Sequence, residues 1–591
     1  LWISLHLNEP RIWKSTMLPI THWRIHEPSE EIRNRLVEEL GIHPVIAQIL
    51  INRQIRNPDE ARRYLYPSLK DLHNPFLMKD MQKGVDRVIR SIERGEKVAV
   101  FGDYDIDGIT SVVILYRFLS QIHEGTVHYI PDRVDEGYGL NREAIDQLAR
   151  EGVRLIITVD CGTSDFDEVA YARSLGIDTV VLDHHEIPDE IPHAVAVVNP
   201  NRKDCPFPFK QLAGVGIVFN FLIALRGRLR NAGFWNERPY PNLKEYLDLV
   251  ALGTIGDIVP LIDENRILTK IGLDLINENP RVGIKALRES AGLGGNVIDA
   301  GVASFSLIPR INAAGRIGSP REAVKLLLTG DAAEAEQIAA QLESYNRERQ
   351  RMEKNILDDI FARIDPAKDL PGRGALVLSS TDWHPGVIGI VASRIVDRFY
   401  RPTILISLRN GIGKGSGRSI SEFNLYGGLK QCESLLLSFG GHRYAAGISI
   451  REENIEKFKT LLNGIILEEL PVTGLTPQTA IDAFCSLNEV TYDFLSQLEE
   501  LAPFGHMNPE PVICVRNVQI ASPSIVGNKH LRMRVLGNGV SCNSIWFNKG
   551  HILDRLSGSS MDIAFTPQIN YWNGASSIQL KMKDMATAAT A

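Results

Sequence analysis

Three short apolar runs between residues 97 and 185 each end in acidic or imidazole side chains. The first run precedes Asp103-Tyr-Asp-Ile-Asp-Gly108, the second precedes Asp160, and the third precedes Asp183-His184-His185. Runs of this length, rich in Val, Ile and Leu, predict buried strands. The carboxyl ends of parallel strands line the ligand crevice of an open α/β sheet. Carboxylates and imidazoles that converge there favour a site for hard or borderline divalent cations, and therefore metal-assisted hydrolysis.

Strand and helix patterns alternate from residue 81 to residue 265. This alternation predicts βαβ units and a doubly wound parallel sheet in an α/β domain. The predicted strands are 97–101, 155–159, 179–182 and Ala196–Val198. The predicted helices are Met81–Arg94, Gly108–Leu119, Arg142–Glu151, Phe166–Leu175 and a mostly apolar helix over 243–258 that carries Asp257.

Residues 331–365 show the clearest long helical pattern in the chain. Apolar side chains recur three and four residues apart, with charged residues between them. Asp331 is expected to cap the amino end of the helix, and Pro366 is expected to stop it. A helix of about 33 residues would be about 50 Å long at 1.5 Å per residue, a length typical of helices that bridge two domains.

Two further units follow the long helix. Strand patterns at Ala375–Ser379 and Thr403–Ser407 begin a second α/β segment, which continues into the glycine-rich stretch 411–419. After a break at 471–477, short strand patterns separated by turn signals predict a small β-barrel. The predicted domains are 1–80 as an N-terminal extension and helical lead-in, 81–265 as the parallel-sheet domain, 266–370 as a helical connector with the long helix, 371–470 as the second α/β domain, and 471–591 as the barrel.

Bulk composition excludes few classes of protein. Six cysteines without CxxC pairing favour a reducing, cytoplasmic compartment over a disulfide framework or a zinc ribbon. No apolar run approaches the roughly 18 residues of a membrane span, and Leu1–Leu7 lacks the pattern of a signal peptide. We expect residues 1–16, which precede Met17, to be upstream read-through. The net charge of -7 decides little about nucleic-acid binding, because metal-site carboxylates contribute to it.

A series of motifs follows in a recognisable order along the chain. They are Phe101-Gly-Asp-Tyr-Asp-Ile-Asp-Gly108, Val159-Asp160-Cys-Gly, Asp183-His-His185, Gly253-Thr-Ile-Gly-Asp257, Pro309-Arg-Ile-Asn-Ala-Ala-Gly-Arg316, Gly415-Ser-Gly-Arg-Ser419 and Gly440-Gly-His442-Arg-Tyr-Ala-Ala-Gly447. The series resembles the DHH phosphoesterase superfamily, and its last three motifs resemble the second, DHHA1 domain of that superfamily. Leu501-Ala-Pro-Phe-Gly505, followed by Asn508-Pro-Glu-Pro511, is similar to the linker into the OB-type barrel of bacterial single-strand-specific exonucleases. The resemblance covers nearly the whole chain after residue 17.

The resemblance implies a site for two divalent cations. Asp160 is expected to bridge them, and Asp160, His184 and His185 form the expected catalytic group, with His185 as an acid or orienting donor beside the scissile phosphate. Ligation dominated by oxygen fits Mn²⁺ or Mg²⁺ better than zinc. One implied ligand set is Asp105, alone or with Asp103, and the other is Asp107, His184 and Asp257.

Two features concern the geometry of this implied site. Alternation along an extended strand-to-loop segment is expected to point Asp103, Asp105 and Asp107 the same way. Phe101 stands where some members of the superfamily carry a histidine. This departure leaves open whether protein alone ligates the first metal, or whether Asp103 or water completes its shell.

By the same resemblance, the second domain binds the substrate. Arg310, Ser416 and Arg418 are candidates for a pocket that takes a terminal 5′-phosphate, since a guanidinium can make paired bonds to phosphate oxygens. Plainer interpretations stay open: Arg418 could pair with a surface acid, and Asn312 with Arg316 could join two domains. The other candidate substrate-binding residues are Asn312, Arg316 and His442, the last expected to reach the active site from the DHHA1 side.

The implied function is a metal-dependent 5′→3′ exonuclease that hydrolyses single-stranded DNA in repair and recombination. A helicase and a single-strand-binding protein are expected partners, and the protein is expected to be a monomer. ATP use is not expected, because the stretch 411–417 lacks the GK[ST] ending of a P-loop. Two alternatives stay open: a DHH–DHHA1 phosphodiesterase acting on short oligonucleotides or cyclic dinucleotides, which usually lacks a barrel, and an inactive DNA-binding scaffold, a class that loses metal ligands.

Overall fold

The computed structural model describes residues 22–25, 29–133, 136–470, 475, 477–556, 560–572 and 574–587. Residues 1–16, predicted to be upstream read-through, lie outside these ranges. The chain divides into two compact units. The two-sheet unit comprises residues 66–475 and 503–509, and the barrel unit comprises the described residues of 1–65, 476–502 and 510–591. No helix in the described ranges is both long enough and apolar enough to cross a bilayer.

Short elements of the barrel unit come first along the chain, and the two-sheet unit then alternates helices and strands. The first elements are β1 (His22–Ile25), α1 (Glu30–Leu40), α2 (Pro44–Asn52) and α3 (Pro58–Leu65). The two-sheet unit continues with α4 (Met81–Arg94), β2 (Lys97–Gly102), α5 (Ile106–Ser120), β3 (Thr126–Tyr129), α6 (Arg142–Arg150), β4 (Val153–Val159), α7 (Phe166–Ser174), β5 (Asp178–Leu182), β6 (Ala196–Val198), α8 (Gly214–Asn231) and α9 (Leu247–Gly256).

Strands β2 to β6 form a parallel sheet with the order β3-β2-β4-β5-β6. Side chains alternate between its faces: Val98 and Val100 pack in the core with α4, α5 and α8, whereas Ala99 and Phe101 pack with α6 and α7. The strand order reverses between β2 and β4. The crevice at such a reversal is where open α/β sheets bind ligands, and Asp103 and Asp160 follow these two strands.

A helical connector leads to the second sheet through the long helix. The connector contains α10 (Asp263–Glu278), α11 (Val282–Ser290), α12 (Ala300–Val302), α13 (Ile308–Ile317), α14 (Pro320–Leu328), α15 (Ala332–Arg363) and α16 (Pro366–Asp369). Asp331 caps α15 as predicted, accepting hydrogen bonds from the backbone N–H groups of Ala333 and Glu334. Leu342 belongs to the core of the parallel sheet and Ile360 to the core beside β7 and α17, so this helix of 32 residues joins two cores.

The second sheet of the unit has five strands in the order β10-β11-β9-β8-β7. β7 and β8 are parallel, and the other pairs are antiparallel. The glycine-rich stretch forms the central strand β9, where a Cβ at Gly415 would lie 2.6 Å from Ile448. The elements are β7 (Leu376–Ser380), α17 (Ile388–Phe399), β8 (Thr403–Arg409), β9 (Ile412–Arg418), α18 (Leu425–Gln431), β10 (Leu436–Gly441), β11 (Ala445–Arg451) and α19 (Ile455–Glu469).

The barrel unit closes five strands into a ring. β14 pairs with β15 on one side and with β17 on the other, and β16 and β18 complete the circle. Trp546 is buried in the core, whereas Tyr571 is 74% exposed. The strands and helix are β12 (Gln478–Ile481), β13 (Ala483–Phe484), α20 (Tyr492–Glu499), β14 (Ile513–Val526), β15 (His530–Gly537), β16 (Val540–Trp546), β17 (Met561–Trp572) and β18 (Ala575–Thr587).

Sequence patterns missed two elements of the parallel-sheet region. The edge strand β3 is only four residues long, and it includes polar Thr126 and His128. Helix α8 is apolar on nearly all sides, with Val215, Ile217, Val218 and Phe219 all buried. A helix buried all round has no polar face, and therefore no amphipathic period to detect.

Candidate metal centre

The first carboxylate motif turns sharply where β2 passes into α5. Asp103 directly follows the strand, and Asp105 is the N-cap of the helix. The Asp105 carboxylate accepts hydrogen bonds from the backbone N–H groups of Asp107, at 2.9 Å, and Gly108, at 3.3 Å. A Cβ at Gly108 would lie 2.4 Å from the Asp103 carbonyl oxygen, so the turn requires glycine. The predicted alternation of the three carboxylates along an extended segment is wrong, because the helix begins inside the motif.

Asp107 is held by the amino end of α8. Its Oδ2 accepts a hydrogen bond from the Gly214 N–H at 2.7 Å, and its Oδ1 accepts one from the Val215 N–H at 2.9 Å. These N–H groups have no partner within the helix, and the helix dipole favours a carboxylate there. A Cβ at Gly214 would lie 2.8 Å from Oδ1 of Asp160 and 2.9 Å from Oδ2 of Asp107, so only glycine leaves room for both carboxylates.

Asp160, His184 and Asp257 approach from three different elements. Asp160 follows β4 with a φ of 60°, a conformation that strains any residue other than glycine. His184 follows β5, and Asp257 follows the last residue of α9. The Nε2 of His184 lies 3.1 Å from Oδ1 of Asp160, 3.5 Å from Oδ2 of Asp257 and 4.0 Å from Oδ2 of Asp107.

Asp183 orders the two histidines that follow it. Its Oδ1 accepts a hydrogen bond from the His184 N–H at 2.8 Å and lies 2.7 Å from Nδ1 of His185. Burial alone would raise the pKa of Asp183, but the charge of His185 and these bonds hold that pKa well below its usual range. Burial lowers the pKa of His185, yet Asp183 raises it to about 9. The His185 ring therefore carries a proton at neutral pH, with Nδ1 directed at Asp183.

Ligand atoms of these residues form three groups, and within each group the atoms lie within 4.8 Å of one another. Asp160 and His184 each belong to two of the groups, so the three groups share ligands. The structure brings together every residue that the resemblance implied as a metal ligand. The groups are Asp103 with Asp105 and Asp160, Asp107 with His184 and Asp257, and Asp160 with His184 and His185.

Arg316 and Arg418 lie in a second cluster with Arg133 and Ser416. We call these four residues the arginine cluster. Arg316 donates a hydrogen bond to the Gly386 carbonyl at 3.0 Å, and Arg418 donates one to Oγ of Ser416 at 3.2 Å. Burial, and then the charge of Arg133, lowers the pKa of both guanidinium groups, that of Arg316 to about 10. Neither guanidinium forms an ion pair with a carboxylate of the described residues. Both side chains are partly buried, and a guanidinium held there without a paired carboxylate favours binding of an anion.

The first turn of α17 lies against this arginine cluster. A Cβ at Gly389 would lie 2.8 Å from Oγ of Ser416 and 3.1 Å from Nη2 of Arg418. The glycine therefore allows the positive end of the helix dipole to come close to both side chains. This arrangement adds the positive potential of a helix end to that of the guanidinium groups.

Three other predicted substrate-binding residues make internal contacts. Arg310 is buried and pairs with Glu343 on α15 at 2.7 Å. The Asn312 side chain accepts a hydrogen bond from the Ile106 N–H at 2.8 Å, and so ties α13 to the start of α5. His442 is more than half exposed, and its Nδ1 lies 3.2 Å from a carboxylate oxygen of the residue after the two histidines, Glu186.

Family models match three stretches of the chain. The model for the DHH family, N-terminal domain, matches residues 97–254, the DHHA1 domain matches 372–468, and the RecJ OB domain matches 481–584. The single-stranded-DNA-specific exonuclease RecJ of Bacillus subtilis (strain 168) is 37% identical over 573 residues, which are 96% of this chain and 71% of that protein. The chain belongs to the RecJ family.

Other RecJ proteins support the same assignment. The single-stranded-DNA-specific exonuclease RecJ of Escherichia coli (strain K12) is 35% identical over 571 residues, which are 93% of this chain and 98% of that protein. A crystal structure of RecJ in complex with Mn²⁺ from Thermus thermophilus superposes with a TM-score of 0.81 at 29% identity, covering 96% of this chain and 80% of that one. The predicted fold class, with a parallel-sheet DHH domain, a DHHA1 domain and an OB-type barrel, is confirmed.

The carboxylates at the centre of this RecJ-family site repel one another. Burial, and then the charge of Asp257, raises the pKa of Asp107 to about 7. Burial raises the pKa of Asp257 to about 6, and burial together with neighbouring carboxylates raises the pKa values of Asp103 and Asp160 well above the usual range. Such shifts mean that the folded protein holds more negative charge here than its own side chains neutralise.

Several buried atoms of the site have no hydrogen-bond partner among the described residues. They are Oδ1 of Asp103, Oδ1 of Asp160, Nε2 of His184 and Oδ2 of Asp257. Buried polar atoms are costly without a partner, and each of these belongs to one of the three ligand groups. Divalent cations would satisfy the atoms and offset the charge. The donor set of carboxylate oxygens with imidazole nitrogen fits Mn²⁺ or Mg²⁺.

Sequence reasoning missed three side chains that support the histidines. The Tyr138 hydroxyl donates a hydrogen bond to the Asp160 carbonyl at 3.2 Å and lies 3.2 Å from Nδ1 of His185. Asn199 donates to the His185 carbonyl at 2.9 Å, and Asn201 donates to the His184 carbonyl at 2.5 Å. Asn199 directly follows β6, so the same strand-end rule that indicated the other site residues would have indicated it.

Proposed function

We propose that this chain is a metal-dependent exonuclease that hydrolyses single-stranded DNA from the 5′ end, in DNA repair and recombination. The supporting observation is that carboxylates and imidazoles from four separate elements converge in one site, in a chain of the RecJ family. The relatives are named for exonuclease activity on single-stranded DNA. The 5′→3′ polarity follows from the family resemblance.

In this proposal the convergent residues hold two cations, Mn²⁺ or Mg²⁺. When bound, two such cations supply an activated water and stabilise the negative charge that develops on the phosphate. The protein fixes the ligands before substrate arrives: two backbone N–H groups hold the oxygens of Asp107, and Asp183 holds the backbone of His184. Asp160 would contribute to both sets, of which Asp103 and Asp105 would form one and Asp107, His184 and Asp257 the other.

His185 is proposed to act on the phosphate directly. Because Nδ1 of His185 donates its hydrogen bond to the Asp183 carboxylate, Nε2 is the nitrogen that can face a substrate oxygen. Asp183 raises the pKa of the ring in the metal-free protein, and a protonated Nε2 would donate a hydrogen bond to the phosphate or a proton to the leaving oxygen. Tyr138, whose hydroxyl lies 3.3 Å from Nε2, would orient the same ring.

The arginine cluster is proposed to bind the terminal 5′-phosphate. Arg316 and Arg418 would contact its oxygens, and Ser416 would donate a hydrogen bond from its hydroxyl. The absence of a carboxylate partner for Arg418 in the described part of the chain favours this role over a surface ion pair. Arg310 and Asn312 would support the pocket through their contacts with Glu343 and Ile106. His442 would approach the substrate from the DHHA1 side.

The barrel unit is proposed to bind the strand by stacking. OB-type barrels bind single strands on aromatic side chains beside basic groups, and Tyr571 is an exposed candidate. A helicase that unwinds duplex DNA and a single-strand-binding protein would supply the substrate. We propose that the protein acts in the cytoplasm as a monomer.

A gel assay with end-labelled strands tests the function. A long 5′-phosphorylated single strand that is labelled at its 5′ end should release the label immediately as a mononucleotide. The same strand labelled at its 3′ end should shorten progressively. Both reactions should require Mn²⁺ and should stop when a chelator is added. Asp160→Ala should bind the strand and leave it intact. Hydrolysis of dinucleotides alone would instead indicate the short-substrate phosphodiesterase, and binding without any cleavage would indicate the scaffold.

A further inference from the structure

Two carboxylates of one ligand group are carried by different helices. Asp107 lies in the first turn of α5, and Asp257 follows the last residue of α9. Both must stay within reach of Nε2 of His184, which lies 4.0 Å from Asp107 and 3.5 Å from Asp257. A cation shared by this group depends on the spacing between the two helices, because carboxylate ligands bind well only at about 2.0–2.6 Å from the ion.

A single side chain, Asn265, forms hydrogen bonds both to the segment before α8 and to the loop after α9. Its Nδ2 donates hydrogen bonds to the Gln211 carbonyl at 2.6 Å and to the Pro260 carbonyl at 3.0 Å. Its Oδ1 accepts a hydrogen bond from the Ala213 N–H at 3.4 Å. Asn265 is fully buried. The side-chain amide thus uses both of its N–H donors and one of the two lone pairs on its oxygen within the fold.

Each of these segments adjoins the group: one leads to the backbone that holds Asp107, and the other follows Asp257. Residues 211–213 lead directly into Gly214 and Val215, whose N–H groups hold both oxygens of Asp107. Pro260 lies three residues after Asp257, beyond Ile258, which has a φ of 61° and so ends the helix with a strained turn. Asn265 therefore joins the support of Asp107 to the loop that carries Asp257.

We infer that Asn265 is a positioning residue: it sets the spacing between Asp107 and Asp257, and through it the cation affinity of the group they form with His184. The inference rests on the proposed metal centre. Asn265 touches no ligand atom of the centre, so its effect is on geometry rather than on charge. Residues that orient metal ligands at one remove typically change metal affinity by about 10–100-fold when they are replaced.

The same helix offers a matched control. Asn277, also on α10, donates hydrogen bonds to the carbonyls of Leu273 and Ile298 at 2.9 Å each and accepts one from the Ile298 N–H at 2.8 Å. These bonds connect α10 to the loop before α12 and to no segment that carries a ligand. Asn277→Ala thus removes the same number of side-chain hydrogen bonds from the same helix as Asn265→Ala does.

The experiment is a calorimetric Mn²⁺ titration of the metal-free, full-length protein, its Asn265→Ala variant and its Asn277→Ala variant. Thermal unfolding of each is measured without metal. We expect both variants to unfold at lower temperature, because each loses buried hydrogen bonds. Only Asn265→Ala should bind one Mn²⁺ about 10-fold or more weakly than the native protein. Its cleavage rate should recover as the Mn²⁺ concentration is raised, whereas Asn277→Ala should need no extra metal.

Equal Mn²⁺ affinities for the native protein and Asn265→Ala would overturn the inference, and so would an equal loss of affinity in both variants. Asn265→Ser retains one donor and is the second variant if Asn265→Ala does not fold. We expect it to show an intermediate loss, and native affinity in that variant would also overturn the inference. If the native protein itself bound no Mn²⁺, the proposed metal centre would fail first, which is a distinguishable result.

Discussion

The Nε2 atom of His184 lies 3.1 Å from Oδ1 of Asp160, and neither atom has a hydrogen-bond partner among the described residues. Both atoms are buried, and Asp257 approaches the same nitrogen at 3.5 Å. An imidazole nitrogen that faces two carboxylate oxygens without bonding to either has the geometry of ligands around a shared cation.

Asp160→Asn should abolish hydrolysis while leaving strand binding intact. The amide keeps the size of the side chain but removes the charge that bridges the two ligand sets. Loss of several kcal/mol of transition-state stabilisation corresponds to a rate decrease on the order of 10²–10³-fold or more. Single-turnover cleavage in saturating Mn²⁺, beside fluorescence anisotropy with a labelled strand, measures the two properties separately. Cleavage at a near-native rate would show that the site has been assigned to the wrong residues.

Gly214→Ala should weaken metal binding without unfolding the protein. The added Cβ would lie within 3 Å of carboxylate oxygens of Asp107 and Asp160, so one of these carboxylates must move. We expect Mn²⁺ affinity and activity to fall at least about 10-fold, as for other changes that disturb ligand orientation. Gly227→Ala, on the same helix with open space at its Cβ, is the control. It should stabilise the helix by about 0.5–1 kcal/mol and leave Mn²⁺ affinity unchanged.

Gly389→Ala should reduce the preference for a phosphorylated 5′ end. Its Cβ would intrude on Ser416 and Arg418, and the loss of about one charge-assisted hydrogen bond to the phosphate should cost about 1.5–3 kcal/mol. The ratio of the cleavage rates of 5′-phosphorylated and 5′-hydroxyl strands should therefore be about 10- to 150-fold smaller than in the native protein. Gly464→Ala on α19, where the Cβ would meet nothing, should keep the native preference. A preserved preference in Gly389→Ala would place the phosphate elsewhere.

Asp165→Asn should stabilise the protein at high pH and not at low pH. Burial raises the pKa of Asp165 to about 6, although its carboxylate accepts a hydrogen bond from the Leu140 N–H at 2.8 Å. An aspartate in the unfolded chain has a pKa near 4. Ionisation of Asp165 therefore lowers the free energy of unfolding progressively between about pH 4 and pH 6, and the loss is complete above about pH 6. The amide retains the acceptor and never ionises.

The expected gain for Asp165→Asn is on the order of 2–3 kcal/mol at pH 8 and near zero at pH 3.5. Thermal unfolding midpoints at both pH values, in chelator, measure it. The exposed Asp189→Asn serves as the control, and its midpoint should shift little at either pH. A gain of equal size at both pH values would mean that charge is not the cause.

Local sequence patterns predicted elements well where one signal dominated. Helix α4 has the predicted bounds, Met81–Arg94, because a strong apolar stripe and Gly95 at its carboxyl end define both limits. Asp331 caps α15 as predicted, because an aspartate at this position satisfies free N–H groups in any surrounding. Helix α8 escaped prediction because residues 214–222, its first half, are all buried and leave no polar face there, and this helix supplies the N–H groups that hold Asp107.

The sequence by itself determined the chemistry of this protein: the motif order, the carboxylates and imidazoles at strand ends, and the family they indicate. These follow from residue type and local period, which are properties of neighbouring residues along the chain. Only the tertiary structure decided that Asn312 contacts Ile106, that Arg133 joins Arg316 and Arg418, and that Asn265 links the supports of Asp107 and Asp257. Those contacts join residues far apart in sequence, and burial, which exists only in the folded chain, shifts the pKa values that make the site.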